Sequence, residues 1–127
     1  MAKSSRYLPI AYFEKDEIAK ALVAADVVVS RAGSGSIFEI ALFEKPSILI
    51  PLESAARDHQ RLNAYAYAET GAAVVVEEPN LHEAIIIREL KKIFEDPQVA
   101  LRMAAGAKAF AKPDAAHMIA EEVMRLV

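Results

Sequence analysis

The sequence predicts an α/β fold built on a mostly parallel sheet of about four strands. Four short runs rich in branched or aromatic residues are nearly continuously apolar, which is typical of strands buried on both faces. Longer segments with helical spacing of apolar residues separate or follow these runs, as expected of βαβ units with right-handed crossovers. With 127 residues, of which 54% are hydrophobic, the chain is expected to form one domain with a substantial core.

The predicted strands are short and nearly continuous apolar runs. They cover residues 7–13, 27–30, 48–52 and 73–76.

Each predicted helix has apolar residues on one face or a recognisable terminal residue. The helices are expected at 15–25, 36–44, 58–70, 81–94, 97–111 and 113–126. Gly71 follows the third as a natural C′ residue, and Asn80 precedes the fourth as a candidate N-cap. Pro97 and Pro113 open the last two, where a proline suits the first helical turn.

Composition excludes several classes of function. The formal net charge is −3, without the clustered Lys and Arg of a nucleic-acid-binding surface. Cysteine is absent, which excludes disulfides and thiolate metal sites, and the three histidines, His59, His82 and His117, are too far apart for a local metal motif. No apolar run approaches the roughly 20 residues that span a bilayer. We therefore expect a cytoplasmic protein with neither a metal nor a cofactor.

A turn rich in glycine and serine, residues 31–36, follows the second predicted strand. Ligands of open parallel sheets bind outside the carboxyl ends of the strands, where this turn is expected to lie. Gly33 and Gly35 are expected to let the backbone turn sharply and approach a ligand closely. The free N–H groups of the next helix, its dipole and the hydroxyls of Ser34 and Ser36 would together bind an anion. The turn therefore indicates a phosphate or diphosphate cradle.

Two common nucleotide motifs do not fit this turn. A P-loop needs Gly-Lys-Ser/Thr, and Gly35-Ser36-Ile37 stands there instead. A dinucleotide fingerprint needs a third glycine, where the chain has Phe38, and an acidic residue about 20 positions later, whereas Glu39 comes only a few residues on.

Ordinary structural roles remain open for the same residues. Ser34 or Ser36 could be the N-cap of a strand-to-helix turn, and the helix dipole would favour Glu39 in the first turns. Arg31 could equally be a salt-bridge partner or a ligand contact. His59 and Asn63 could be surface residues of the third helix.

Three stretches carry a resemblance to a known family: "ADVVVSRAGSGSIFEIALFEKPSILIPLE", "DHQRLNAYAYAETGAAVVVEE" and "KPDAAHMIAEEV". In this order they resemble the C-terminal, donor-binding domain of the MurG family. These enzymes transfer N-acetylglucosamine from UDP-N-acetylglucosamine to a lipid-linked intermediate of peptidoglycan, at the cytoplasmic face of the inner membrane. The resemblance implies a Rossmann-like, three-layer αβα fold, which is part of a GT-B donor domain.

The resemblance also implies roles in the glycine-serine turn and helix that follows. Glu39 matches the family glutamate that binds the ribose hydroxyls of UDP. Ser34, Gly35 and Ser36 match the loop whose backbone faces the diphosphate and sugar.

Further positions match the sugar and base contacts of the family. Gln60 and Asn63, with His59 beside them, match the segment that reads the sugar hydroxyls. Their spacing of three or four residues is expected to put them on one helix face, and amides both donate and accept hydrogen bonds. Phe13 matches, in an uncertain register, the strand end that contacts the uracil. No residue is expected to be catalytic.

The family pattern implies parts that the sequence does not show. Members have an N-terminal domain with the acceptor site and the proposed catalytic base, and two further strands in the donor domain. We therefore expect UDP-N-acetylglucosamine or UDP, and an N-terminal acceptor domain or subunit, as partners. The hypotheses are a donor-binding portion inactive alone, a nucleotide-sugar binding module without transferase activity, and a structural or engineered half-domain without a ligand.

The two strands not found would leave the second predicted strand with one open edge. This strand, residues 27–30, is expected to be central, because it is continuously apolar. We expect residues 7–13 to pair with it directly, through a crossover of ordinary length. Edge-to-edge pairing or strand exchange between two chains is the alternative, and remaining apolar surface is expected to favour a homodimer.

Overall fold

The computed structural model describes residues 7–53 and 58–111 as an α/β unit. Its strands are β1 (Val28–Ser30), β2 (Ser47–Leu49) and β3 (Ala73–Val75). Its helices are α1 (Lys15–Ala24), α2 (Ser34–Leu42), α3 (His59–Ala68), α4 (Glu83–Glu95) and α5 (Pro97–Phe110), with a short 3₁₀ turn at Glu78–Asn80. The helix expected at 113–126 falls outside the described residues.

The sheet is parallel and its strand order follows the chain, β1-β2-β3. In register, Val29 pairs with Ile48, which pairs with Val74. All three residues of β2 are buried, as expected for a central strand between two helical layers. The α/β prediction with a parallel sheet is confirmed.

Two core clusters lie on opposite faces of the sheet. Leu49 faces α2 and α3, where Ile40 and Tyr67 lie in the same buried cluster. Ile48, the preceding residue on β2, faces the other way and packs with Ile93 of α4. Helix α5 contributes to both clusters, so the arrangement is the three-layer αβα sandwich that the family resemblance implied.

The expected first strand is wrong: residues 7–13 form no strand and pair with none of the described strands. The side chains of Tyr7 and Tyr12 are 72% and 76% exposed, and Pro9 has no N–H to give to a ladder. Apolar and aromatic composition predicted a strand, but a strand also needs a neighbour that buries its side chains. The sheet therefore has three described strands rather than about four.

The expectation that residues 27–30 form the central strand is also wrong. β1 pairs only with β2 among the described residues, and Val29 is 46% exposed. The crossover helices α2 and α3 both pack on one side, because β1, β2 and β3 follow one another in the same direction across the sheet. That order places β2 in the centre and β1 at an edge.

Helix boundaries agree with the sequence to within two residues for the five described helices. The N-cap of α4 is His82 rather than Asn80, which lies in the 3₁₀ turn before it. Pro97 does open α5, and the carboxylate of Asp96 accepts a hydrogen bond from the Gln98 N–H. Within the described ranges, no helix has the length and apolarity to cross a membrane.

Candidate functional site

The amino end of α2 presents backbone N–H groups without intrahelical acceptors at the carboxyl edge of the sheet. The helix begins at Ser34, and its N-cap is Gly33, which gives no side-chain cap. The first helical hydrogen bond runs from Ile37 N–H to the Gly33 carbonyl. The N–H groups of Ser34, Gly35 and Ser36 therefore have no intrahelical acceptor. The alternative in which Ser34 or Ser36 caps this helix is wrong.

The two glycines of the turn are not needed for its backbone conformation. Gly33 has φ −68°, and Gly71 is the only glycine with positive φ among the described residues. A Cβ added at Gly35 would meet nothing within 4 Å. A left-handed backbone conformation is thus not the reason for these glycines, whereas the close approach of a ligand remains a reason for a glycine here.

Gln60 joins the loops that follow β1 and β2. Its Oε1 accepts hydrogen bonds from the N–H of Ala32, at 3.2 Å, and of Leu52, at 2.9 Å. A Cβ at Gly33 would lie 3.9 Å from Nε2 of the same side chain, so the amide nitrogen faces the start of α2. Gln60 is in the second position of α3, and the two strand ends are held against that helix.

Asn63 and Ser34 line one small cleft between α2 and α3. Its volume is about 160 Å³, and the ring of Phe110 bounds it. Asn63 is half-buried, whereas His59, at the start of the same helix, is exposed. The structure thus brings Gln60 and Asn63 to the α2 side and leaves His59 in solvent.

Glu39 and Phe13 occupy different surroundings from these amides. Glu39 lies one helical turn after Gly35, and both are exposed, so they share the outer face of α2. Phe13 is half-buried in the segment before α1 and belongs to neither core cluster. The structure therefore does not bring Phe13 to a strand end.

An ion pair connects the ends of all three strands. Arg31 Nη1 lies 2.7 Å from Glu78 Oε2 and 3.4 Å from the Ile50 carbonyl. Glu78 Oε1 accepts a hydrogen bond from the Glu53 N–H at 2.9 Å. This backbone donor, together with the Arg31 guanidinium, lowers the pKa of the Glu78 carboxyl. Arg31 is thus a salt-bridge partner, which was one of the two roles that the sequence left open for it.

A second carboxylate, Glu77, is held by α3. The Tyr65 hydroxyl donates a hydrogen bond to Glu77 Oε2, and Arg61 Nε lies 3.1 Å from Oε1. The Tyr65 hydrogen bond and the Arg61 charge lower the pKa of Glu77, and the same hydrogen bond raises the pKa of Tyr65. A cleft of about 200 Å³ lies between Arg61, Glu77 and Glu53.

Sequence reasoning missed this acidic cluster. The signal was the pair Glu77-Glu78 directly after the apolar run that became β3, at the edge where ligands of parallel sheets bind. Within residues 7–53 and 58–111, no group of three or more His, Asp and Glu side chains is arranged to hold a metal ion.

The chain is similar to known proteins in both sequence and structure. Residues 2–119 match the family model described as the glycosyltransferase family 28 C-terminal domain. The crystal structure of Acinetobacter baumannii MurG superposes with a TM-score of 0.71 at 28% identity, covering 89% of this chain and 32% of that one.

Two curated relatives carry the name UDP-N-acetylglucosamine--N-acetylmuramyl-(pentapeptide) pyrophosphoryl-undecaprenol N-acetylglucosamine transferase. The protein of Caulobacter vibrioides strain NA1000 / CB15N is 40% identical over 114 residues, which are 90% of this chain and 31% of the relative. That of Gloeobacter violaceus is 37% identical over 121 residues, or 95% and 33%. The chain spans about a third of the length of these relatives. It belongs to the family of glycosyltransferase family 28 C-terminal domains.

Proposed function

We propose that this chain is the donor-binding portion of a MurG-like glycosyltransferase and binds the UDP moiety of UDP-N-acetylglucosamine. The observation that carries the proposal is the amino end of α2, with three N–H groups free of intrahelical acceptors. These donors and the positive end of the helix dipole suit a diphosphate.

The side chains around this helix end suit the rest of a nucleotide sugar. The exposed carboxylate of Glu39, one turn further along α2, can accept two hydrogen bonds from a ribose diol. Across from it, the amides of Gln60 and Asn63 flank the same helix end from α3. The names of the relatives support UDP-N-acetylglucosamine as the nucleotide sugar.

We further propose that the chain alone does not transfer the sugar. Transfer needs the acceptor and a base held in near-attack geometry against the donor. Asp58 and His59 are both exposed, and His59 enters no ion pair among the described residues. The partner would then be an acceptor-binding domain or subunit, as the family resemblance implies.

Calorimetric titration with UDP, NAD and ATP tests the binding proposal. A diphosphate contact and a diol contact are open to all three nucleotides, and UDP should bind most tightly because the relatives are named for a UDP-sugar. Glu39→Ala removes hydrogen bonds to a charged group, which contribute about 1.5–3 kcal/mol. UDP affinity should therefore fall on the order of 10- to 150-fold.

Glu95→Ala is the matched control. Glu95 is also an exposed helical glutamate, but α4 ends at the opposite edge, where Phe94 shares a cleft with Val27 and Pro46. Its UDP affinity should equal that of the wild type. Equal affinities of the wild type and Glu39→Ala would contradict the ribose contact, and absence of UDP binding would favour a half-domain without a ligand.

A radiolabelled transfer assay with the lipid acceptor separates the remaining hypotheses. The isolated chain should give no labelled product, whether it is part of a divided enzyme or a binding module. Turnover restored by an added acceptor-binding domain would support the divided enzyme, and turnover by the chain alone would refute the proposal of inactivity.

A further inference from the structure

We propose that Gln60 is a positioning residue whose Oε1 clamps two strand-end loops, so that only its Nε2 is left to meet a ligand. The clamp itself is independent of the proposed function, and only the contact between Nε2 and a ligand rests on that function. Its consequence is that the side chain can recognise an acceptor oxygen but cannot accept from a sugar hydroxyl.

The clamp follows from hydrogen-bond capacity. An amide oxygen has two lone pairs, and the N–H groups of Ala32 and Leu52 take both at 3.2 and 2.9 Å. Ala32 is fully buried, so its N–H would be left without water or protein partner if Gln60 turned away. An unsatisfied buried donor is costly, and this holds the amide in one orientation.

The orientation of the oxygen fixes that of the nitrogen. With Oε1 turned to the two loops, Nε2 faces the start of α2, where a Cβ at Gly33 would be 3.9 Å away. The N–H groups of Ser34 and Gly35, which have no intrahelical acceptor, lie at this helix end. Nε2 of Gln60 therefore adds one more hydrogen-bond donor to the N–H groups at the start of α2, and all of these donors suit acceptor oxygens of a ligand.

The clamp also determines where those donors lie. Ala32 is two residues before Ser34, and Leu52 is in the loop after the neighbouring strand. Fastening Ala32 to α3 fixes the position of the α2 start relative to Asn63, because α3 carries both amides. A single side chain thus sets the width between the two helix ends that would hold the ligand.

Two substitutions distinguish the role of the amide oxygen of Gln60 from that of its nitrogen. Gln60→Met keeps the length of the side chain and removes both the oxygen and the nitrogen. Gln60→Glu keeps an acceptor for Ala32 and Leu52 and removes the donor. Gln98→Glu, at an exposed position of α5, is the control for the added charge.

Amide hydrogen exchange, read by NMR in the absence of ligand, tests the clamp. The Ala32 and Leu52 amides should exchange at least about tenfold faster in Gln60→Met, whereas Gln60→Glu and Gln98→Glu should protect them as the wild type does. Unchanged exchange in Gln60→Met would overturn the clamp. This measurement needs no nucleotide, so it remains decisive even if the proposed function fails.

Binding of UDP and UDP-N-acetylglucosamine tests whether Gln60 meets a ligand only as a hydrogen-bond donor. Protection of Ala32 and Leu52 should persist in the bound state; its loss would mean that the ligand takes Oε1 and would overturn the proposal. In high salt, which screens the added charge, Gln60→Glu should still bind at least tenfold more weakly. If the affinity for both ligands falls, Nε2 contacts the diphosphate. If only the affinity for UDP-N-acetylglucosamine falls, Nε2 contacts a sugar oxygen. Wild-type affinity for both ligands overturns the donor role.

Discussion

At the scale of single residues, several polar side chains connect the loops at the carboxyl ends of the strands. Gln60 joins the loops after β1 and β2, and the pair of Arg31 and Glu78 joins the ends of the outer strands. These contacts lie at the edge where the proposed ligand would bind. Side chains that position the loops therefore lie beside those proposed to bind the ligand, and Gln60 is proposed to do both.

Tyr67 provides a prediction at this scale. Its side chain is fully buried, its hydroxyl has no hydrogen-bond partner among the described residues, and burial raises its pKa to about 12. We expect Tyr67→Phe to raise the free energy of unfolding by about 1 kcal/mol, because an unsatisfied buried hydroxyl is removed and the ring packing against Phe110 is kept. Urea unfolding at neutral pH measures the difference.

The same residue predicts a pH dependence. The folded-state pKa lies above the ordinary value of 10.0, so the unfolded chain releases the phenolic proton first as the pH rises. Stability is therefore complete below pH 10 and falls between pH 10 and 12. Tyr67→Phe should make that fall shallower. Tyr65→Phe, whose hydroxyl is paired with Glu77, is the control and should not stabilise; a less stable Tyr67→Phe would contradict the account.

At the scale of elements, the sequence predicted those parts of the fold whose signals are local. Helical spacing and terminal residues located the five described helices, and apolar runs located three strands. Residues 7–13 looked like a strand by composition, but strand formation depends on a neighbour in space, which composition does not reveal. The glycine-serine turn lies at the predicted edge of the sheet, although α2 begins at Ser34, two residues earlier than predicted. The Gln60 contacts were not predicted, because they join loops that are far apart in sequence.

Gly106 gives a prediction about how α5 packs. A Cβ there would lie 2.9 Å from the Ala72 nitrogen and closer still to the Thr70 carbonyl oxygen, both backbone atoms of the turn between α3 and β3. Gly106→Ala should therefore lower the free energy of unfolding by about 2 kcal/mol, despite the better helix propensity of alanine. Chemical denaturation followed by circular dichroism measures the change.

Gly35→Ala is the matched control for that substitution. It also replaces a helical glycine, but nothing lies within 4 Å of the added Cβ. Its stability should equal or slightly exceed that of the wild type. If Gly106→Ala were as stable as Gly35→Ala, α5 would not depend on close approach to the turn.

At the scale of the whole molecule, the open edge of β1 is the feature most exposed to further pairing. In the described residues no strand pairs with its outer side, and Val29 is 46% exposed. Unpaired backbone groups beside an apolar side chain attract another strand. Such a strand could come from a second copy of this chain.

We expect the chain to self-associate at high micromolar concentration, and Val29→Lys to weaken that association. A lysine on an edge strand opposes pairing with another edge by its charge. Ile87→Lys is the control, because Ile87 is exposed to the same 46% but lies on α4. Light scattering with size exclusion at several concentrations measures the mass; a monomer at every concentration would contradict self-association.

The central claim is that a nucleoside diphosphate binds at the amino end of α2, and NMR mapping of the amides on titration with UDP tests it most directly. We predict shifts concentrated in the N–H groups of residues 33–36 and in the side-chain amides of Gln60 and Asn63. The opposite edge of the sheet, near Pro46 and Phe94, should remain unchanged. Saturating shifts at that opposite edge, or none at residues 33–36, would contradict the account.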